Sequence, residues 1–294
     1  MGTSRTACSF DMHESSIIRL QSSDGPEYTV TGCSLLPFGL EDIFSGKGKR
    51  LLKKLSRQLR KFRCESLALC VAPETYLPLP TFFASESNAE ENRTSCMIEA
   101  EHFLQSPKDY HCDIAGSEER SLNDIHEKKL LLFYPCEPAE TLANHFSAEH
   151  RILFSCSPQL SLLHLSEHTE ETRVILEIEK GYILIAAARN GRLEKFACRQ
   201  VKSRDEAVYF TIRELAGNPL LRETVIQLSG TMADKAMTEL IEMETQVKTR
   251  PLGIPSSLKI FNPERFAISS PSAVKAISTA LMALSGNGAL TFLQ

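Results

Sequence analysis

The 294-residue chain has no C-x-x-C pair among its nine cysteines and no excess of cations, with 33 Lys and Arg against 37 Asp and Glu and a formal net charge of −4. It also has no apolar stretch near the roughly 20 residues of a membrane span. Each absence excludes something. Singly spread thiols, several inside apolar runs such as LALC and LFSC, serve as small reduced hydrophobes, and an odd count fits a secreted disulfide framework poorly. The opening stretch MGTSRTACSFDMHESS lacks the apolar core of a signal peptide, so with no transmembrane segment the expected location is the cytoplasm. A slightly acidic chain does not neutralise a phosphate backbone, and no specific nucleic-acid partner is expected.

What is present suffices for a folded protein of one or two domains: 42% of residues are hydrophobic and 24% charged, enough to bury a full core. The second half is the more legible. RVILEIE (173 to 179), YILIAAA (182 to 188) and RLEKFACRQV (192 to 201) are apolar, strand-like runs joined by Lys180-Gly181 and Asn190-Gly191, which predicts an antiparallel meander. Ser203 and Glu206 form a capping-box pattern ahead of Val208, Ile212 and Leu215 at helical spacing, with Gly217 and Pro219 as stop signals. TVIQLSG (224 to 230) reads as a short buried strand, and Thr231 as the cap of a helix with Met232, Ala236, Met237, Leu240 and Ile241 on its apolar face. SSLKIFNP (256 to 263) reads as a strand, and Ser270-Pro271 opens a last helix carrying Val274, Ile277, Leu281 and Leu284 along one side. The order is β-β-β-α-β-α-β-α.

In the first half, strands are expected at 15 to 21, 28 to 36, 66 to 72, 129 to 135 and 151 to 156, and helices at 46 to 63, 96 to 105, 138 to 147 and 158 to 165. ASESNAEENRTS (84 to 95) is too polar to pack and reads as a mobile loop. A break near LSEHTEET (165 to 172) divides the chain into 1–168 and 169–294.

The meander VILEIEKGYILIAAARNGRLEKFACRQV, the strand VIQLSG ending in Ser-Gly, and the segment LGIPSSLKIFNPERF, taken in order, resemble one lobe of the actin-like superfamily of actin, sugar kinases and seventy-kilodalton heat-shock chaperones. Within it the second half most resembles pilus-assembly proteins of the PilM kind and their secretion-system relatives, and the whole chain resembles an uncharacterised family of Bacteroidetes and Chlorobi with a degenerate version of the fold. Residues 172 to 285 carry the resemblance. It implies a two-lobe α/β fold with a ribonuclease H-like mixed sheet and flanking helices in each lobe, 1–168 being the first lobe and 169–294 the second.

In members of that superfamily that bind ATP, a hairpin in each lobe holds phosphate: an aspartate near the end of the first strand serves the metal, and a following glycine lets backbone N–H groups reach the anion. That close approach needs a residue without a Cβ. Here the resemblance places Glu177 at the aspartate and Glu179 at the glycine, with Gly181 two positions late and Ile183 at the usual hydroxyl residue. A carboxylate facing the phosphate at ~4 Å costs on the order of 4 kcal/mol at an effective dielectric near 20, which removes roughly three decades of affinity. The first-lobe turn is expected in RLQSSDGPEY (19 to 28), where Asp24-Gly25 reads as an ordinary hairpin turn with no aspartate before it. Ser229-Gly230-Thr231 keeps part of the adenosine-side double glycine, or Gly230 simply permits a tight strand-to-helix turn.

GKGKRLLKKLSRQLRKFR (46 to 63) holds nine Lys or Arg and no acid, while Leu51, Leu52, Leu55, Leu59 and Phe62 repeat at helical period. Lys49, Lys53, Lys54, Arg57, Arg60 and Lys61 therefore form either a solvated face or a docking strip for an acidic partner or anionic surface. SGKGKR does not meet the phosphate-loop pattern. His145 with His150, and His111-Cys112-Asp113, lack metal-ligand spacing, the latter because alternate strand residues face opposite ways. Met1-Gly2 with Thr6, and Asn92-Arg93-Thr94, match lipidation and glycosylation patterns short enough to arise by chance.

The expectation is thus a non-enzymatic binding or scaffold protein with a decayed nucleotide site, no catalytic residues, no metal and no cofactor, engaging protein partners in a cell-envelope, secretion or pilus-type assembly; a homodimer stays open. The rival is a divergent kinase or ATPase that uses ATP and magnesium through Glu177 or Glu179. A third reading makes the basic helix an anionic-surface module.

Overall fold

A computed structural model of the chain describes residues 2–23, 27–120, 125–218, 221, 224–262, 268, 270–286 and 291–292. Two mixed sheets organise it. Numbered in chain order, the strands of the first lie in the spatial order β14 (Lys259–Phe261), β3 (Glu27–Leu36), β2 (Ser15–Ser22), β1 (Ser4–Phe10), β4 (Ser66–Val71) and β8 (Arg151–Cys156). The second runs β13 (Thr249–Pro251), β12 (Ile226–Ser229), β9 (Arg173–Ile178), β10 (Tyr182–Arg189), β11 (Arg192–Gln200), β6 (Tyr110–Arg120), β7 (His126–Pro135) and β5 (Leu77–Ala84), with β15 (Thr291–Phe292) beside β6. Both sheets draw on both halves of the chain. β5, β6 and β7 extend the second sheet through the parallel pair Leu193 and Ser117, and β14 joins the first sheet alongside β3.

Helices fill three layers. α2 (Gly48–Phe62) and α4 (Glu137–Ser147) cover the outer face of the first sheet, where Leu55, Leu59, Leu142 and Phe146 meet Cys8, Phe10, Leu67 and Leu69. On the outer face of the second sheet lie α6 (Arg204–Ala216) and α7 (Lys235–Thr245), where Ala207, Leu215, Met237 and Ile241 meet Val174, Leu176, Ile183 and Ile185. Between the sheets lie α5 (Pro158–Leu165) and α8 (Pro271–Ser285), sharing one core with Ala7, Ile18, Ala68, Ile175 and Leu184. Alternate residues of β1, β4, β9 and β10 go to opposite cores, as the two-residue strand period requires. α8 is buried on every side from Ser272 to Ala283, so the single apolar stripe expected for it underestimates its burial.

Several sequence expectations are corrected. β1 was not expected at all: SRTACSF mixes polar and apolar residues, is buried on both faces from Thr6 to Phe10 and carries no alternation. The polar stretch at 84 to 95 is not a loop throughout, because α3 (Ala89–Phe103) starts inside it. Asn88 accepts from Glu90 N at 2.9 Å and Glu91 N at 3.0 Å while Glu91 returns a bond to Asn88 N, a capping box that sets the helix start despite little apolar content. β5 was missed because Pro78 and Pro80 argue against a central strand; it is an edge strand, where proline is tolerated. Thr231 does not cap α7: Asp234 does, accepting from Met237 N at 2.8 Å. Ser203 caps α6 as expected, accepting from Glu206 N at 3.2 Å. The turn residues Asp24-Gly25, with Pro219 and Pro263, lie outside the described residues.

No helix among the described residues is long and apolar enough to cross a membrane. Cys8, Cys70, Cys96, Cys112, Cys136 and Cys156 are buried.

Candidate functional site

The hairpins that begin each lobe point at one another across the inter-sheet layer. In the first lobe β1 ends at Phe10 and the turn is Asp11 to Glu14, closed by Asp11 N donating to Glu14 O at 2.9 Å. The turn equivalent to that of the second lobe is therefore this one and not the segment 19 to 28, which joins β2 to β3. Asp11 stands directly after the first strand, the position for which the sequence showed no aspartate. In the second lobe β9 ends at Ile178, and Glu179 N donates to Tyr182 O at 2.9 Å around Lys180-Gly181.

Between the two hairpins lies a buried ion cluster. Lys275, from the middle of α8, has no solvent exposure and places Nζ 2.8 Å from Asp11 Oδ1 and 2.9 Å from Glu177 Oε1. Gln159 of α5 donates to the other Glu177 oxygen at 2.5 Å. Burial by itself lowers the Lys275 pKa, but Asp11, Glu177 and Glu179 outweigh it and hold the ammonium well above its ordinary value. Glu177 thus carries no bare charge toward a cleft: its carboxylate is buried, paired and hydrogen-bonded.

Glu179 is placed differently. It is buried, and Thr231 donates to it from both N (3.2 Å) and Oγ1 (2.6 Å). Burial and the charge of Glu177 push its carboxyl up to about 7, against the opposing pull of Lys275 and Thr231. Thr231 therefore belongs to the turn before α7, whose N-cap is Asp234 three residues later. Ser229 stands opposite Glu177 in the β12–β9 ladder. Gly230 has φ +98°, and a Cβ there would lie 2.3 Å from Ile178 O, so glycine is demanded by the contact between this turn and the end of β9. Gly181 has no positive φ, and a Cβ would meet Glu74 O at 3.2 Å. A cleft of about 320 Å³ remains at the hairpin tips, lined by Met12, Glu41, Glu179, Lys180, Gly181 and Thr231. Glu41 bridges it, 3.0 Å from Lys180 Nζ and 3.4 Å from His13 Nδ1.

The structure therefore gathers Glu177, Glu179, Gly181, Ser229, Gly230 and Thr231 at one place, and adds Asp11, Gln159 and Lys275, which sequence reasoning missed. A signal for Lys275 existed: it is the only charged residue in PSAVKAISTALMALS. Asp113 makes a second buried polar centre, accepting from Tyr134 Oη at 3.0 Å and Ser157 N at 2.8 Å, its carboxyl raised to about 6 by burial.

The basic residues lie elsewhere. Lys49, Lys53, Lys54, Arg57, Arg60 and Lys61 are all exposed on α2, on the first-sheet face opposite α8. Arg60 is committed to Glu149 at 2.5 Å, and Lys54 sits 5.2 Å from the centre of the Phe38 ring. His145 meets Ser56 and His150 meets the carbonyl of Cys64, so these two histidines share no site.

Two lobes, each a mixed sheet with flanking helices, define this chain as a protein of the actin-like ATPase fold. Among solved structures it is similar to the PilM-PilN type IV pilus biogenesis complex, with a TM-score of 0.67 at 14% identity over 95% of this chain and 98% of that one. It is also similar to a Bacteroides thetaiotaomicron protein of actin-like ATPase fold and unknown function, with a TM-score of 0.53 at 10% identity over 94% and 95% of the two chains. No protein-family model matches the chain, and no curated protein matches its sequence. Identities this low carry the fold and nothing finer.

Proposed function

We propose that this chain is a non-enzymatic binding or scaffold protein whose nucleotide site has decayed, working in the cytoplasm through protein partners in a cell-envelope, secretion or pilus-type assembly. One observation carries the reading. Asp11 and Glu177 occupy the strand ends from which ATP-binding relatives serve their metal, and the Lys275 ammonium is held between them at 2.8 and 2.9 Å. A tethered cation that neutralises both carboxylates removes their reason to recruit a divalent ion, and a buried ammonium cannot leave without stranding two charges. Glu179 supports the same reading, since the resemblance aligns it with the glycine that would let backbone amides meet a phosphate, and its carboxyl is instead buried against Thr231. That one structural neighbour is a complex of PilM with PilN supports a protein partner. Isothermal titration of the full chain with Mg-ATP tests the proposal: no saturable heat is expected, and binding at micromolar affinity would overturn it.

A second reading concerns α2. Six exposed cations besides Arg60, with Arg50 joining the five named above, line one helix whose apolar side is committed to the core, which favours electrostatic docking onto an acidic surface over insertion into a bilayer. Reversing Lys53, Lys54 and Arg57 to glutamate should abolish salt-sensitive retention on an anionic matrix; retention that persists would remove α2 from the interaction.

A further inference from the structure

A second cluster of ligating side chains stands apart from the inter-lobe ion cluster, where β6 meets the start of α4. His111 is the second residue of β6 and pairs in register with Tyr134 of β7. β7 ends at Pro135, and Cys136 is the residue from which α4 departs. Glu140 follows Cys136 by four residues, so both side chains lie on one helix face, directed at the strand that carries His111. His111 Nε2 lies 3.7 Å from Glu140 Oε1, and the donor atoms of His111, Cys136 and Glu140 all lie within 4.8 Å of one another.

His111 supplies an independent indication. It is 2% exposed, its ring is held edge-on against Tyr134 at 5.8 Å, and Nε2 makes no hydrogen bond. A buried imidazole nitrogen without a partner is costly unless something occupies its lone-pair direction. Neither neighbour makes that bond in this arrangement. Glu140 Oε1 is beyond hydrogen-bond distance, and the Cys136 thiol contacts Lys108 O at 3.7 Å. Burial and the adjacent Glu140 charge push that thiol up to about 11, while burial, opposed by Glu140, lowers the His111 pKa. An imidazole nitrogen, a thiol sulfur and a carboxyl oxygen thus converge on one spot.

We propose that His111, Cys136 and Glu140 form a three-ligand site for a zinc-class divalent ion. One imidazole nitrogen, one thiolate and one carboxylate is a donor set suited to a borderline-soft tetrahedral metal and unsuited to magnesium or calcium, which take oxygen shells. At zinc bond lengths of about 2.0 to 2.3 Å the donors of a tetrahedral site stand about 3.3 to 3.7 Å apart. The His111–Glu140 spacing of 3.7 Å already matches that range, and the widest spacing of the three needs a closure of about 1 Å at most. Glu140 also opens the site to a cleft of about 980 Å³ lined by Lys108, Asp109, Cys136 and Glu137 among others, giving the ion access and leaving the fourth position to water. Among the charged residues that line this cleft, Asp109, Glu137 and Glu140 outnumber Lys108, a balance that attracts a cation.

The test is cobalt and zinc titration of the chelator-treated full chain. Cobalt should bind at one equivalent with a thiolate charge-transfer band, and zinc should displace it. Cys136→Ser should abolish the band and weaken zinc at least about tenfold, and Glu140→Gln should weaken zinc by a similar factor while keeping the band at saturation, since even an outer-shell partner is worth about 10- to 100-fold. Because the thiol proton leaves on binding, affinity should rise about tenfold per pH unit between pH 6 and 8. Circular dichroism confirms that both variants are folded. Absence of one-equivalent binding to the parent, or a band unchanged in Cys136→Ser, would overturn the site.

Discussion

Lys275 Nζ sits 2.9 Å from Glu177 Oε1, a contact between residues 98 positions apart that are both fully buried. With Asp11 on its other side, the ammonium ties the first hairpin of each lobe to the helix between the sheets. Pairs of this kind contribute less to net stability than their Coulomb attraction implies, yet losing one partner is expensive because the other is left charged in a dry interior.

Lys275→Met should therefore lower unfolding free energy by about 3 to 5 kcal/mol, measured by urea denaturation. Adding Glu177→Gln and Asp11→Asn should restore at least half of that loss, because the stranded charges go with them. A triple variant no more stable than Lys275→Met would show that packing, not charge, sets the cost.

Lys275→Ser should uncover a divalent-cation site. Millimolar magnesium is expected to raise the melting temperature of this variant and leave that of the parent unchanged, through stabilisation by a ligand that binds only the folded state. A variant indifferent to magnesium would mean that Asp11 and Glu177 do not converge on an ion once the lysine is gone.

The pH dependence has a definite sign. Glu179 rises from 4.5 to about 7 and Asp113 from 3.8 to about 6, so the folded state binds both protons more tightly than the unfolded chain does. Stability from these two groups is highest below pH 4 and falls as pH rises to about 7, each losing on the order of 3 kcal/mol. Glu179→Gln should flatten the curve between pH 5 and 7 and overtake the parent above it, as followed by chemical denaturation across that range.

Gly230→Ala should cost at least about 2 kcal/mol, because φ is +98° and the new Cβ would stand 2.3 Å from Ile178 O. Gly181→Ala should cost less than about 1 kcal/mol, its φ being ordinary and its nearest neighbour 3.2 Å away. Thermal melts of the two variants side by side would separate a glycine required by geometry from one that is merely present.

The meander of β9, β10 and β11 was legible because three apolar runs alternate with two-residue turns, and the helix starts at Ser203 and Ser270 because capping side chains act within one turn of themselves. Glu177, Glu179 and the 229–231 turn were legible as a group through the order of those same elements. β1 was not, since a strand of mixed polar and apolar residues buried on both faces shows no period, and α3 began earlier than its apolar content indicated because its capping box is polar.

Part of the local chemistry, then, was settled by the sequence: the strand periods and turn glycines of the 173–201 meander, the helix caps at Ser203 and Ser270, and the separation of cations from leucines along α2. Only the tertiary structure decided where Lys275 goes. Nothing within four residues of it is acidic, and its partners lie 264 and 98 positions away, so its neutralisation depends on two sheets closing around α8. Short-range interactions are written in adjacent residues, whereas the fate of a buried charge is set by whichever opposite charge the fold delivers to within about 3 Å, and no spacing along the chain records that distance.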